Sequence, residues 1–212
     1  MNQDSTSNKQ PKTTRGQRTR DKLLRAAEAE FGEKGFHAVG INDITRRAGV
    51  ALGTFYVYFE SKEEIFRALV PYMSRRVRGW VAERVADAPD RLTAERKGLE
   101  AFLEFTRKHP GLYRIISEAE FVANDAFVEH YMSFSKAYRE NLESAGQRGE
   151  IRQGDYEIWS WAIMGMMVLL GLRFADWDHE TPAAEVAAKV QDLIANGIGL
   201  GMGTGIGTGK KP

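Results

Sequence analysis

The order of apolar, glycine and capping residues between positions 35 and 70 constrains the fold more than any other part of the chain. The segment reads GFHAVGINDITRRAGVALGTFYVYFESKEEIFRALV. Its apolar spacing predicts a short helix over residues 41–48, a break at Gly49 and a second short helix over residues 52–59. Two short helices joined by a glycine turn are typical of a helix-turn-helix.

Helices are predicted on both sides of this motif. One covers residues 18–34 and ends at Gly35. Another begins at Lys62, because Ser61 and Glu64 form a capping box. Further helices are predicted over residues 93–108, 111–121, 125–145, 155–176 and 183–196. Since no segment shows the two-residue alternation of a strand, the predicted fold class is all-α.

The polar residues do not form a catalytic or metal-binding pattern. The chain has no cysteine, which excludes disulfides, thiolate zinc sites and a cysteine nucleophile. Its four histidines are dispersed, without the spacing of metal ligands or of a catalytic triad: His37, His109, His130 and His179. We therefore expect no enzymatic activity, no metal and no cofactor.

Charge is distributed unevenly along the chain. Residues 1–80 carry 15 Lys and Arg against 9 Asp and Glu, whereas the remaining residues carry 15 against 20. A basic N-terminal part on an acidic body is what a nucleic-acid-binding head on a regulatory body would show, with chance clustering as the alternative.

The apolar segments do not predict a membrane protein. The first residues are polar and lack the apolar run of a secretory signal. The longest apolar stretch, residues 159–172, is too short and too interrupted to span a bilayer. We expect a cytoplasmic protein without a membrane partner.

The helix predicted over residues 155–176 is apolar on two sides. A helix of this kind must be buried on both sides, and a second copy of the chain can cover the side that the monomer leaves open. Together with the helix over residues 183–196, it predicts a four-helix interface in a homodimer. The alternative is a large core within a monomer.

The helix-turn-helix segment resembles the TetR/AcrR family of transcriptional regulators over residues 17–77. The residues that carry the resemblance are Ala27, Phe31, Gly35, Phe36, Ile44, Ala48, Gly49, Val50, Gly53, Thr54, Phe55, Tyr56, Tyr58, Phe59, Ser61, Lys62 and Glu63. The resemblance implies a three-helix DNA-binding domain with its motif at about residues 40–59, and a helical ligand-binding and dimerisation domain over residues 78–198. Residues 1–16 are expected to be a disordered basic arm, and residues 199–212 a flexible glycine-rich tail.

The resemblance also implies which residues contact operator DNA. These are Asn42, Leu52, Gly53, Thr54, Tyr56, Val57 and Tyr58, with Lys62 at a phosphate. Arg18, with Arg15 and Arg20, is expected either to reach the DNA or to remain solvated. Tyr56 is expected to pack in the small core or to contact DNA, and Tyr58 to be the more exposed of the two.

Three positions depart from the family pattern. Gly40 stands where Ser or Thr is common, so a phosphate contact is lost although glycine still caps the helix. Leu52 and Val57 are apolar and cannot hydrogen-bond to base edges, which leaves contact with thymine methyl groups as their direct readout. We therefore expect modest direct readout, with a larger share from phosphate contacts and DNA shape.

The resemblance implies a ligand-released repressor that acts as a homodimer on a palindromic operator. An activator, or a DNA-binding protein without small-molecule control, is the alternative. Two recognition helices about 34–36 Å apart would enter successive turns of the major groove. Ligand would shift the fourth helix, and Pro71, where we expect a kink or a break, would provide the bend.

The ligand pocket is less clearly marked in the sequence. Its candidate residues are Phe102, Phe105, Tyr113, Ile116, Glu120, Phe121, Met164, Met167 and Arg173, with ordinary core packing as the alternative for each apolar one. Arg173 is expected to pair with Asp176, Glu118 or Glu120, or to receive an anionic ligand group. The stretch LYRIISEAEFV is similar to regulators of acyl- or aromatic-CoA metabolism, so a CoA ester or a similar amphiphile is the expected effector.

Overall fold

The chain folds into helices throughout the part that the computed structural model describes, which is residue 11 and residues 13–198. This part contains no β-strand, so the all-α prediction is confirmed. The helices in chain order are α1 (Thr14–Lys34), α2 (Ile41–Ala48), α3 (Leu52–Tyr58), α4 (Lys62–Val85), α5 (Arg91–Lys108), α6 (Leu112–Val122), α7 (Asn124–Gln147), α8 (Tyr156–Gly171) and α9 (Ala183–Asn196).

Helix α1 begins earlier than the sequence predicts. The Thr13 hydroxyl accepts the Gly16 N–H at 3.1 Å, and this N-cap starts the helix at Thr14. Residues 14–16, expected in the disordered arm, are therefore helical. The rest of that arm except residue 11 and Thr13, and the predicted tail over residues 199–212, lie outside the described residues.

Helix α4 continues through Pro71 without a break. Proline removes one backbone donor there, but Leu69 and Val70 before it and Met73 after it are fully or almost fully buried. Packing on both sides of the proline therefore outweighs the lost hydrogen bond. The boundary expected between head and body at residue 77 falls inside this helix.

The single helix expected over residues 155–176 consists of α8 and a π-helical segment, Leu172–Trp177. At Gly171, where the two meet, a Cβ atom would lie 2.7 Å from Cε1 of Phe102. Only glycine fits this close approach, and the wider helix starts directly after it. The stretch Tyr156–Trp177 has the length and apolar composition of a membrane-spanning helix, and 28% of its most apolar window is buried.

The head and the body share one apolar core. Phe31 of α1 contacts Phe66 of α4 edge to face at 5.1 Å between ring centroids, and the same cluster includes Phe105 of α5 and Ile115 of α6. A second, smaller cluster joins α5 to α9 and the π segment, and partly buried Phe102 packs against both. The DNA-binding helices are therefore packed directly on the body.

Helix α6 contacts the end of α1 at close range. A Cβ atom at Gly32 would lie 2.7 Å from Cα of Gly111, so the two backbones are in contact. The Glu118 carboxylate accepts the backbone N–H of Phe36 at 2.8 Å, and Arg114 donates to the Glu33 carbonyl at 2.6 Å. These contacts fix α6 to the turn that precedes α2.

Candidate nucleic-acid interface

A left-handed glycine sets the angle between α2 and α3. Gly49 ends α2 with φ of 64°, a conformation that side-chain-bearing residues adopt at a cost. Its N–H bonds to the carbonyls of Arg46 and Thr45, and the Val50 N–H donates to the Thr45 carbonyl at 3.1 Å. The turn therefore satisfies the last carbonyls of α2 and projects α3 away from it.

Two buried phenylalanines hold α3 against the head. Phe55 lies on the helix and Phe59 directly after it, with ring centroids 5.7 Å apart and almost no exposed surface. The opposite face is open, since nothing lies within 4 Å of a Cβ atom built on Gly53. Helix α3 thus presents one face to solvent and has the width to enter a major groove.

The predicted contact residues of α3 lie at different depths. Tyr56 is 48% exposed and Val57 61%, and Leu52 and Gly53 are exposed beside them. Thr54 and Tyr58 are half-buried. The prediction that Tyr58 is more exposed than Tyr56 is therefore wrong.

The early start of α1 explains the position of Tyr58. A Cβ atom at Gly16, in the first turn of α1, would lie 3.6 Å from the Tyr58 hydroxyl. That turn was not expected to be helical, so its contact with Tyr58 could not be foreseen. Tyr56, on the other side of α3, remains in solvent.

The predicted contacts outside α3 also lie on the surface of the head. Asn42 and Arg18 are exposed. The Asp43 carboxylate accepts the backbone N–H of Gly40 at 2.9 Å. This hydrogen bond lowers the pKa of Asp43. Asp43 thus makes the reciprocal bond of a capping box, whereas residue 40 has no side chain that could accept a helix N–H.

The lysine and arginine side chains of the head differ in the hydrogen bonds and ion pairs that they make within the protein. Lys62 donates from Nζ to the Phe36 carbonyl at 2.9 Å and lies 4.2 Å from the centroid of its ring. Arg47 bonds to Glu33 and to the buried Glu30 of α1. Arg46 pairs with Asp43, but 73% of its side chain is exposed. Arg46, which the sequence analysis did not single out, therefore keeps most of its side chain in solvent.

The candidate ligand residues do not surround a single open cavity. Phe105 and Met164 are buried, Phe102, Tyr113, Ile116 and Met167 are partly buried, and Glu120, Phe121 and Arg173 are exposed. The Tyr113 hydroxyl donates to the Val168 carbonyl at 2.7 Å, and burial raises the pKa of this phenol. Phe121 is 85% exposed and points away from the core.

A narrow cleft lies between α5, α8 and α9. Its lining residues are Glu95, Leu99, Ile163, Met166, Met167, Ala187, Val190, Gln191 and Ile194. Its volume is about 10 Å³, close to the space that one water needs. Of the predicted ligand residues only Met167 lines it, so a larger ligand would have to separate packed helices.

Arg173 has a different partner from those expected. Its guanidinium pairs with Asp178 at 3.3 Å, not with Asp176, Glu118 or Glu120. The π-helical turn shifts the register of the residues around it, and Glu118 is engaged by the Phe36 N–H. The pKa of Asp178 is lowered to about 2, chiefly by hydrogen bonds from Thr181 and the Glu180 N–H.

The outer face of α8 is apolar and uncovered. Ile158, Trp161 and Leu169 are exposed on it, Leu169 by 67%, and nothing lies within 4 Å of a Cβ atom at Gly165 between them. Leu193 on α9 is also exposed. Large exposed apolar patches mark interaction sites, and the small residue lets another helix approach closely.

Acidic and histidine side chains do not cluster in the described part of the chain. Residues 11 and 13–198 contain no group of three or more His, Asp or Glu positioned to hold a metal ion.

The chain is similar in sequence to bacterial transcriptional regulators. The family model for bacterial regulatory proteins of the tetR family matches residues 23–69. The uncharacterized HTH-type transcriptional regulator YdgC of Bacillus subtilis is 28% identical over 190 residues, which cover 87% of this chain and 95% of that protein. The HTH-type transcriptional activator FasR of Mycolicibacterium smegmatis is 32% identical over 103 residues, which cover 49% of this chain and 47% of FasR.

A solved structure matches the fold of most of the chain. The transcriptional regulator FadR from Bacillus subtilis, crystallised in complex with stearoyl-CoA, superposes with a TM-score of 0.74 at 20% identity. The superposition covers 84% of this chain and 99% of FadR. The two proteins therefore share the arrangement of head and body helices.

Proposed function

Since the chain belongs to the TetR family of bacterial regulatory proteins, we propose that it is a homodimer that binds a palindromic DNA operator through α2 and α3. The observation that carries the proposal is the open face of α3. Its buried side is held by Phe55 and Phe59, while Tyr56, Val57 and Gly53 face solvent. An exposed helix that is braced by buried aromatic side chains, on a head that also exposes Arg46 and Arg18, suits a major groove.

Homodimerisation through α8 and α9 is supported by the uncovered apolar face of α8. A two-fold axis would place Gly165 of each copy near the crossing point and bury Leu169 and Trp161 between the copies. Two copies would add the phosphate contacts of two heads, which a single short helix cannot supply. The same covering would remove the exposed apolar face of this helix from solvent.

Selection from random duplexes tests DNA binding directly. Purified protein is mixed with duplexes that carry a randomised 30-base-pair window, and the bound fraction is sequenced. We expect enrichment of an inverted repeat whose half-sites lie about 10–10.5 base pairs apart, centre to centre, or a multiple of that spacing. Enrichment of no sequence at low salt would contradict the proposal.

The effector is proposed to be an acyl-CoA or a similar amphiphile. The support comes from FadR, whose structure contains stearoyl-CoA and whose fold this chain shares. In this chain the predicted ligand residue Phe105 lies in the main apolar core, Phe102 packs against both apolar clusters, and the cleft between α5, α8 and α9 is small. Binding of a long acyl chain would therefore separate α5 from α8, and the energy of binding would change the conformation of the body.

Two connections would carry such a change to the head. Helix α4 runs from the body into the DNA-binding helices, with Pro71 in its middle. Helix α6 is fixed to the end of α1 through Gly111 and through the bond from the Phe36 N–H to Glu118. A ligand needs to prefer the conformer with altered head spacing by only a few kcal/mol to release DNA.

Titration of the selected duplex complex tests effector control. Stearoyl-CoA is expected to lower the affinity for DNA at least tenfold, whereas CoA and stearate alone, the two halves of the molecule, are expected to have smaller effects. Fluorescence anisotropy of the labelled duplex measures the change. An unchanged affinity with every acyl-CoA from C8 to C18 would favour the alternative of a DNA-binding protein without acyl-CoA control.

Repression is proposed as the regulatory outcome, and activation is the second candidate because FasR, a relative over about half of its length, is an activator. Transcription in vitro from a promoter that carries the selected operator separates the two. A fall in transcript on addition of the protein indicates repression, and a rise indicates activation.

A further inference from the structure

Helix α3 presents methyl and methylene groups where it would meet a major groove. Its sequence, LGTFYVY, contains no charged side chain. Leu52 is 44% exposed and Val57 61%, although both are aliphatic, and Gly53 between them leaves an open approach. These side chains contribute little to the core, which Phe55 and Phe59 already fill.

The head that carries this apolar face also exposes cations. Arg46 of α2 and Arg18 of α1 are exposed on it, and residues 1–80, which extend beyond the helix-turn-helix into α4, carry six more basic than acidic side chains. A protein partner for an aliphatic face would not require this excess of positive charge. Charge complementarity therefore favours a polyanion, DNA, as the partner of this face, and the aliphatic side chains would contact its base edges.

Major grooves offer one apolar group to such side chains. The C5 methyl of thymine projects into the groove, and cytosine has only a hydrogen at that position. The remaining base-edge groups are hydrogen-bond donors and acceptors that leucine and valine cannot satisfy. Burying a donor or acceptor under an aliphatic side chain is costly, and burying a methyl is favourable. The aliphatic face thus discriminates between base pairs by their methyl groups.

We propose that Leu52 and Val57 read thymine methyl groups in each operator half-site. This inference rests on the proposed DNA-binding function and names what α3 recognises. The two residues are five apart, which separates them by about 7.5 Å along the helix axis and by about 140° around it. They therefore reach different base pairs, and each half-site contains a separate thymine for each side chain.

Replacement of thymine by deoxyuridine tests the inference. Uracil keeps the base pairing and the O4 acceptor and lacks only the methyl group. Each thymine of the selected operator is replaced in turn, and the affinity is measured by anisotropy at constant salt. We expect a loss of about fourfold per contacted methyl, equivalent to ~0.8 kcal/mol, and no loss at thymines outside the half-sites.

A second set of duplexes restores the methyl in another base. Cytosine carries no methyl at C5, and 5-methylcytosine places one where thymine has it. At a contacted position, a 5-methylcytosine·guanine pair is expected to bind about fourfold more tightly than the cytosine·guanine pair. Equal affinity of these two duplexes would contradict the inference.

Protein variants assign each methyl to its side chain. For Val57→Ala, the thymine and uracil duplexes are expected to bind equally well at one of the two thymines, whereas the fourfold loss remains at the other. For Leu52→Ala, the two positions are expected to exchange these results. Such a double-mutant cycle isolates the pairwise contact. Both side chains are exposed, so the variants are expected to fold, and unchanged thermal unfolding verifies this.

The outcomes separate the inference from the function on which it rests. A selected operator that binds equally well with uracil throughout overturns methyl readout and leaves DNA binding intact. Selection of no sequence overturns DNA binding itself. A change of association state in Leu52→Ala or Val57→Ala without DNA would show that the face binds protein, and would also overturn the inference.

Discussion

Leu169→Glu is expected to convert the protein into a folded monomer that binds its operator at least 100-fold more weakly. Leu169 is 67% exposed on α8, so the substitution leaves the core of the protomer intact. In the dimer it would place two unpaired carboxylates, related by symmetry, within an apolar interface. Burying such charges costs several kcal/mol each, which is comparable with the free energy that holds many dimers together.

Sedimentation at micromolar concentration and anisotropy on the selected duplex measure the two effects. Ala82→Glu, at another exposed position, on α4, is the control for the added charge. The control is expected to remain dimeric and to bind DNA with nearly the parental affinity. A dimeric Leu169→Glu protein would show that the copies associate elsewhere or that α8 is covered by another partner.

The helix-turn-helix was predictable because its determinants are local. Gly49 in a left-handed conformation, the cap at Ser61 and the buried side chains of Phe55 and Phe59 act within a few residues of one another. The sequence therefore specified both the turn and the side of α3 that faces the core.

The parts that were not predicted depend on distant contacts. Tyr58 is half-buried because the first turn of α1 lies over its hydroxyl. Arg173 pairs with Asp178 because the π-helical segment changes the register after Gly171, and Glu118 bonds to the Phe36 N–H across 82 positions of sequence. Periodicity within one helix contains no information about such contacts.

The packing of the head on the body has the same origin. The sequence suggests a separate DNA-binding domain, whereas Phe31 and Phe66 share their core with Phe105 and Ile115. A small three-helix head buries too little apolar surface to be stable alone, so the body completes its core. Ligand-induced movement in the body can therefore reach the head through direct packing.

A second large effect is expected from Gly53→Glu. Nothing lies within 4 Å of a Cβ atom at this exposed glycine of α3, and glutamate favours helix more than glycine does. The variant is therefore expected to fold at least as stably as the parent. In a DNA complex its carboxylate would lie between α3 and the groove and would face the phosphates. Such a contact between like charges costs several kcal/mol.

Gly79→Glu provides the matched control. Gly79 is also an exposed glycine within a helix, α4, and has no atom within 4 Å of a built Cβ. It undergoes the same chemical change away from α3. The difference between the two variants therefore reports the position of the added charge and not its presence.

The affinity of the parent, Gly53→Glu and Gly79→Glu for one selected duplex tests most directly whether α3 enters DNA. We predict a loss of at least 100-fold for Gly53→Glu, less than threefold for Gly79→Glu, and no fall in thermal stability for either. Parental affinity of a folded Gly53→Glu protein would contradict the assignment of α3 as the DNA-contacting helix.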